Sequence, residues 1–319
     1  GSSTAEVEGI SAAGATASSR RYTALADAEL LLNGPQSVNS FHLPPLEAGI
    51  SPALISYVAS RSMGLSPLVV AVGLNHQPTF PHLRLEVPSL GPSGCVSSGN
   101  AMDLIRVQTL WEKGLFMGRR LKRSLVIAEC VPGGTTTAHA VLTGFGLPVA
   151  DFISGSVRKP PISLKKSIVE KGLHASGLRR DPLPQKLLAA IGDPFQPVAA
   201  GLLLGAREAG QQVLLAGGSQ MVAVLVLVLA GLKPHLRNNF MKGVAIGTTY
   251  WLAAESSLAL GRESAFGCLL ECVEERFGVK TLGLASGLRF HSSSQQPLRD
   301  YELGYIKEGV GAGALALLA

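Results

Sequence analysis

Residues 213–232 carry no charged side chain, and their only polar break is Gly217-Gly218-Ser219-Gln220. More than any other feature, this run limits what the chain can fold into. A bilayer span needs about 20 predominantly apolar residues, and here only 221–232 are continuous. The pattern predicts a buried strand, a glycine turn and a helix buried on all sides, as in a parallel sheet covered on both faces. Elsewhere short apolar runs alternate with longer amphipathic ones, the mark of a mostly parallel α/β sheet. Strands are expected at 67–73, 124–130, 212–216, 243–248 and 280–284. Helices are expected at 24–32, 52–63, 100–119, 136–144, 163–172, 184–190, 196–209, 220–230 and 263–277. Segments rich in Pro, Gly and Ser at 76–100, 159–163, 233–242 and 291–297 read as loops above the sheet.

Composition supports that class. Aromatic residues make up 5% and charged residues 16% of the chain, while 37 glycines let helices lie close to a sheet. The net charge of +6 suits anionic small molecules as well as nucleic acid. Basic residues are not interleaved with aromatics, so no nucleic-acid partner is expected. The clusters Arg119, Arg120, Lys122, Arg123 and Lys159, Lys165, Lys166, Lys171 read as solvated helix faces. Cys95, Cys130, Cys268 and Cys272 are too few for a disulfide framework and read as reduced thiols. The seven histidines show no metal spacing. No basic-then-apolar leader is seen, so the expected location is the cytoplasm. Asp103 and Arg106 share a helical face and are expected to pair.

Three stretches can carry chemistry. In the first, an apolar strand runs through Glu129-Cys130-Val131-Pro132-Gly133-Gly134 into Thr135-Thr136-Thr137. Such a turn offers backbone N–H groups and the positive end of a helix dipole to a phosphate. It also serves as an ordinary capped helix start, and it is neither a Walker loop nor GxGxxG. The second stretch, Gly217-Gly218-Ser219-Gln220, repeats the strand, turn and helix. In the third, Glu308 precedes Gly309-Val310-Gly311-Ala312-Gly313. An acid among small apolar residues is partly desolvated, has a raised pKa and suits a general base. The competing reading is a solvated acid at a helix start.

These stretches together resemble the nicotinate-nucleotide–dimethylbenzimidazole phosphoribosyltransferase family, in particular its archaeal and cyanobacterial branch that uses nicotinate mononucleotide. The resemblance rests on 9–16 with Arg21-Tyr22-Thr23 and Asp27-Ala28-Glu29, on 129–137, on Gly192-Asp193-Pro194 through Gly217-Gly218-Ser219-Gln220-Met221, and on 307–313. It spans nearly the whole chain in family order. It implies a Rossmann-like, mostly parallel sheet flanked by helices, with a smaller helical portion from the chain ends. One domain over 1–319 is expected, its large part at roughly 60–290 and its small part from roughly 20–60 and 291–319. A homodimer with no cofactor and no membrane partner is implied. The implied reaction moves ribose 5-phosphate from nicotinate mononucleotide to an aromatic base, giving an α-ribosyl phosphate for the lower ligand of a cobamide, plus nicotinate. By position Glu308 matches the general base, and Glu129 an acid near the ribose. Gly133, Gly134, Thr135, Thr136, Gly217 and Gly218 match substrate- or phosphate-binding turns. Lys165 matches a phosphate-pairing lysine, with Lys166 almost as good a fit. The bacterial branch has Asn where Gly134 stands and glycine where Val131 stands. An early Gly-Asp-His-type segment near its base pocket has no counterpart here. The acceptor is thus dimethylbenzimidazole, another benzimidazole or adenine. A nucleotide-binding regulatory or non-catalytic paralogue is the alternative.

Overall fold

Short runs of Val, Ile and Leu pair in register to form the central sheet. Its strands are β3 (Leu125–Ala128), β4 (Val213–Ala216), β5 (Val244–Thr248) and β6 (Gly283–Ala285), after a separate parallel pair, β1 (Val70–Ala71) and β2 (Leu83–Arg84). The order is β3-β4-β5-β6 and every pairing is parallel. Ile127 lies opposite Leu215, Leu215 opposite Ile246, and Ile246 opposite Gly283. The structure is a computed structural model, and it describes residues 1–11, 13–14, 16–256, 261 and 264–319. Ala12 and Ala15 of the 9–16 stretch, and Glu263 of the helix expected at 263–277, lie outside the described residues.

The fold is α/β, a mostly parallel sheet flanked by helices, as the alternation predicts. The uncharged run divides into β4, a turn, and the helix Ser219–Gly231, whose residues 219–229 are all buried. A helix enclosed by neighbours on every side has no face for a charge. Among the described residues no helix is long and apolar enough to cross a membrane.

Two helices outside the sheet, Leu104–Arg119 and Phe195–Glu208, pack backbone against backbone through Gly114, Gly118, Gly201 and Gly205. A Cβ at Gly201 would land on the Trp111 carbonyl, and one at Gly114 on that of Val198. Glycine at i and i+4 on both partners removes the side chains that would hold the axes apart. The main core lies around the sheet. A second cluster joins Ile55, Trp251, Tyr301, Ile306 and Ala312, and a third joins Leu30, Ala53 and Val310. Both connect early helices to the end of the chain.

Several expectations need correction. The loop expected at 233–242 is the helix Pro234–Met241, which starts on a proline at its first turn and buries Phe240 and Met241. The 67–73 strand shrinks to two residues, and its partner β2 lies in what was expected to be a loop. The helix after β3 begins at Gly134, before the threonines. Arg106 pairs with Glu86 at 2.8 Å, not with Asp103, because Asp103 precedes the helix with its backbone extended. Lys165 is no solvated residue: it is 2% exposed.

Candidate active site

Glu129 follows β3, and the chain then turns through Gly133 (φ 77°, ψ 0°) into the helix Gly134–Gly144. The left-handed conformation at Gly133 favours glycine. Space demands it too, since a Cβ there would lie 3.1 Å from the amide nitrogen of Ala5. At Gly134 a Cβ would come within 2.7 Å of Gln220 Nε2. The Gly134 amide donates to Val131 O at 2.8 Å and the Thr136 amide to Gly133 O at 2.9 Å. Among the described residues the amides of Gly133 and Thr135 have no partner.

The three threonines point in different directions. Thr135 faces the cleft and accepts a 2.9 Å hydrogen bond from Lys165 Nζ. Thr136 is fully buried and does not line the cleft, against the expectation that it holds substrate. Thr137 donates inward to Asp193 Oδ2 at 2.5 Å. Asp193 is fully buried and also accepts from Gln220 Nε2 at 2.9 Å and from the amides of Phe195 and Gln196. Gln220 thus stiffens the back of the turn.

Lys165 reaches the cleft from the helix Ile162–Ser176, and its Nζ also donates to Ser154 O at 3.3 Å. Burial, helped by the nearby Lys307 charge and opposed by Glu255, pulls its pKa down to about 8. Its neighbour Lys166 is exposed and lies 4.0 Å from Glu170 one turn along. The helical step separates the two lysines, and only Lys165 lines the cleft.

Glu308 lines the same cleft. Its Oε2 accepts from the Thr249 amide at 2.7 Å and from Thr248 Oγ1 at 3.0 Å. Its Oε1 accepts from the amides of Gly309 at 3.1 Å and Gly313 at 3.2 Å. Burial raises the carboxyl's pKa and outweighs these four bonds, which favour the ionised form. The glycines around it are required by contact. A Cβ at Gly311 would sit 2.8 Å from that of Ala128, and one at Gly313 would collide with the Thr248 carbonyl. The last helix, Ala312–Leu318, therefore packs on β4, β5 and β6. Gly217 and Gly218 pack against Met221 and Leu252. Expected to bind substrate, they do not line the cleft; a Cβ at Gly218 would meet Leu252 at 2.7 Å.

Glu129 lines the cleft too. Its carboxyl is pushed up to about 8, first by burial and then by the charge of Asp193, with a smaller push from Glu308. Its carbonyl accepts from the Val310 amide at 3.0 Å, stitching the Glu308 turn to the end of β3. The cleft has a volume of about 710 Å³, within the range of small-molecule sites. It takes in Gly133, Gly134, Thr135, Lys165, Glu129 and Glu308, so one protomer brings these together.

Sequence reasoning assigned no role to two other cleft residues. Arg20 is 6% exposed and donates to the carbonyls of Ala5, Val7, Ser11 and Gly14, which fixes the segment lying against Gly133. Asp27 accepts from Ser51 Oγ at 2.5 Å and Cys130 Sγ at 3.0 Å, and burial raises its pKa. Arg20 and Asp27 stand two turns apart on one helix face, a spacing of seven that marks a shared wall.

Comparison with known proteins supplies a frame. A family model described as phosphoribosyltransferase matches residues 47–246. A UPF0284 protein of Prochlorococcus marinus strain MIT 9313 is 63% identical over 319 residues, covering 100% of this chain and 79% of the relative. A UPF0284 protein of Parasynechococcus marenigrum strain WH8102 is 58% identical over 316 residues, covering 99% and 79%. Among solved structures, CobT from Thermus thermophilus superposes with a TM-score of 0.59 at 18% identity, covering 92% of this chain and 72% of that one. A nicotinate-nucleotide-dimethylbenzimidazole phosphoribosyltransferase from the same organism gives 0.57 at 19% identity, covering 84% and 69%. At such identities the likeness is one of fold.

Proposed function

The chain belongs to the phosphoribosyltransferase family, and on that premise we propose that it moves the 5-phosphoribosyl group of nicotinate mononucleotide onto a benzimidazole-type or purine base. The observation that carries this reading is the mix of charge in one cleft. Lys165, Thr135 and the Gly133 turn bring a cation and backbone donors to the cleft, and the carboxyls of Glu129 and Glu308 line it as well. Nicotinate mononucleotide has the matching charges, with an anionic phosphate at one end of the ribose and a positive ring nitrogen on C1′.

In this reading the anion seat holds the phosphate and so fixes C1′. A nitrogen lone pair of the incoming base attacks C1′ as the bond from C1′ to the nicotinate ring nitrogen breaks, and that nitrogen leaves neutral. The N–H proton of the base passes to Glu308, whose raised pKa makes it a stronger proton acceptor than an exposed carboxylate. Glu129, with a pKa of about 8 in the empty cleft, enters mostly protonated at neutral pH and donates to a ribose oxygen. A cationic ring bound beside it draws that pKa down. The four donors to Glu308 hold the carboxylate in one orientation before substrate arrives. The same reading carries a homodimer, which light scattering checks.

The test is nicotinate release from nicotinate mononucleotide across a panel of benzimidazoles and purines. Release that needs an added base, and that drops by about 10²–10⁴ in Glu308→Gln, supports the assignment. Binding of the nucleotide with no release for any base would make the protein a nucleotide-binding member without turnover.

A further inference from the structure

The Glu308 turn is built on unfavourable backbone. Ile306 (φ 65°), Lys307 (φ 64°) and Val310 (φ 53°) are all left-handed and none is glycine. Two of them are β-branched, for which this region is a genuine outlier. Such a conformation persists only where its surroundings impose it. Here the Ile306 amide donates to Ser156 O at 2.9 Å, the Val310 amide to Glu129 O at 3.0 Å, and Thr249 Oγ1 to Lys307 O.

A further restraint is the Lys307 side chain, 4% exposed and outside the cleft's lining. Its Nζ donates to Glu255 Oε1 at 2.5 Å, to Val157 O at 3.3 Å and to Ser154 Oγ at 3.5 Å. Residues 154–157 are therefore held from two sides, because Lys165 Nζ bonds Ser154 O at 3.3 Å. The segment lies between the ammonium that faces the anion seat and the ammonium that carries the Glu308 turn. Among the described residues Glu255 is the one carboxylate bonded to either lysine. The pair keeps an uncompensated positive charge beside the seat, and Lys307 accordingly depresses the pKa of Lys165.

We propose that Lys307 is a positioning residue that couples two parts of the cleft: clamped on Glu255 and the 154–157 segment, it holds the strained Glu308 turn in register with the anion seat. It touches no substrate. It acts through Glu308 on one side and through Ser154 and Lys165 on the other. For its kinetic arm this inference rests on the transferase reading given above.

The backbone at Lys307 provides a discriminating variant. Left-handed φ suits glycine, so Lys307→Gly relaxes the turn while removing the cation, and pairing it with Glu255→Gln avoids leaving a carboxylate buried alone. The proteins to compare are wild type, Lys307→Gly/Glu255→Gln and Lys307→Arg. The measurements are thermal unfolding, inorganic phosphate affinity by calorimetry, and kcat and KM for nicotinate release. The double variant is expected to fold with wild-type or better stability. It should nevertheless bind phosphate several-fold more weakly and lose about tenfold or more in kcat. Lys307→Arg, which keeps a cation of similar reach, should recover part of both. If the double variant keeps wild-type phosphate affinity and kcat, the coupling is refuted and Lys307 is only structural. If wild type binds phosphate but releases no nicotinate with any base, the transferase reading fails, and the phosphate comparison alone decides the coupling.

Discussion

Gly133→Ala and Gly146→Ala each place a Cβ on a residue of positive φ, 77° and 79°. Each should lose about 1–2 kcal/mol of folding stability, because the left-handed conformation brings Cβ against the following carbonyl. Around Gly146 nothing lies within 4 Å, so strain is the whole effect there. At Gly133 the added carbon meets Ala5 N at 3.1 Å and Ala5 Cα at 3.2 Å. Either the Arg20-clamped segment or the turn must yield, which adds roughly 1 kcal/mol. Any displacement of the turn moves Thr135 and its amide relative to Lys165. Loss of one hydrogen bond to a charged group costs about 1.5–3 kcal/mol, which is roughly tenfold to a hundredfold in affinity. Urea unfolding and calorimetric titration with nicotinate mononucleotide separate the two effects. Gly133→Ala should lose roughly 1 kcal/mol more stability than Gly146→Ala, and it alone should lose about tenfold or more in affinity. Equal affinities in the two variants would refute the placement of substrate against this turn.

The other predictions are briefer. Lys165→Met should sharply weaken phosphate binding while Lys166→Met leaves it intact; equal effects would contradict the burial argument. Phosphate affinity of wild type should fall as pH rises through about 8, where Lys165 loses its proton; a fall that persists unchanged in Lys165→Met would assign it to another group. Glu129, pushed from 4.5 to about 8, keeps a proton that the unfolded chain has released, so its contribution to stability is lost as pH rises across that window. Glu129→Gln should flatten the loss, and an unchanged pH slope in urea unfolding would rule it out. Gly201→Ala, whose Cβ lands on the Trp111 carbonyl, should destabilise the fold by about 1–3 kcal/mol in urea; an unchanged midpoint would contradict the helix contact.

The sheet could be read from the sequence because its strands are short apolar runs, with the central β4 and β5 largely buried, while β2 of the separate pair, with two residues, gave no periodicity to find. The helix Pro234–Met241 was hidden by its own polarity, since His235, Asn238 and Asn239 obscure the two buried residues. At the site, local pattern placed the Gly133 turn and Glu308 correctly as loop features but could not show which way side chains point. Thr135, Thr136 and Thr137 are equivalent in sequence, and only the helical step of about 100° sends the first to the cleft and the others inward. Gly217 and Gly218 repeat the motif of Gly133 and Gly134. What distinguishes them is packing against Met221 and Leu252 in place of a cleft, and the Leu252 contact joins elements that no local pattern connects. Lys307 sits inside a stretch quoted for its glycines, and its role depends on Glu255 and Ser154, which no local pattern connects to it.

The central claim is that one bound nucleotide spans the cleft from the Gly133 turn to Glu308. A crystal structure with nicotinate mononucleotide tests it most directly. The account predicts the phosphate within about 2.7–3.2 Å of Lys165 Nζ and Thr135 Oγ1, with the anomeric carbon turned toward Glu308. A phosphate seated away from that turn, or a ribose facing away from Glu308, would contradict it.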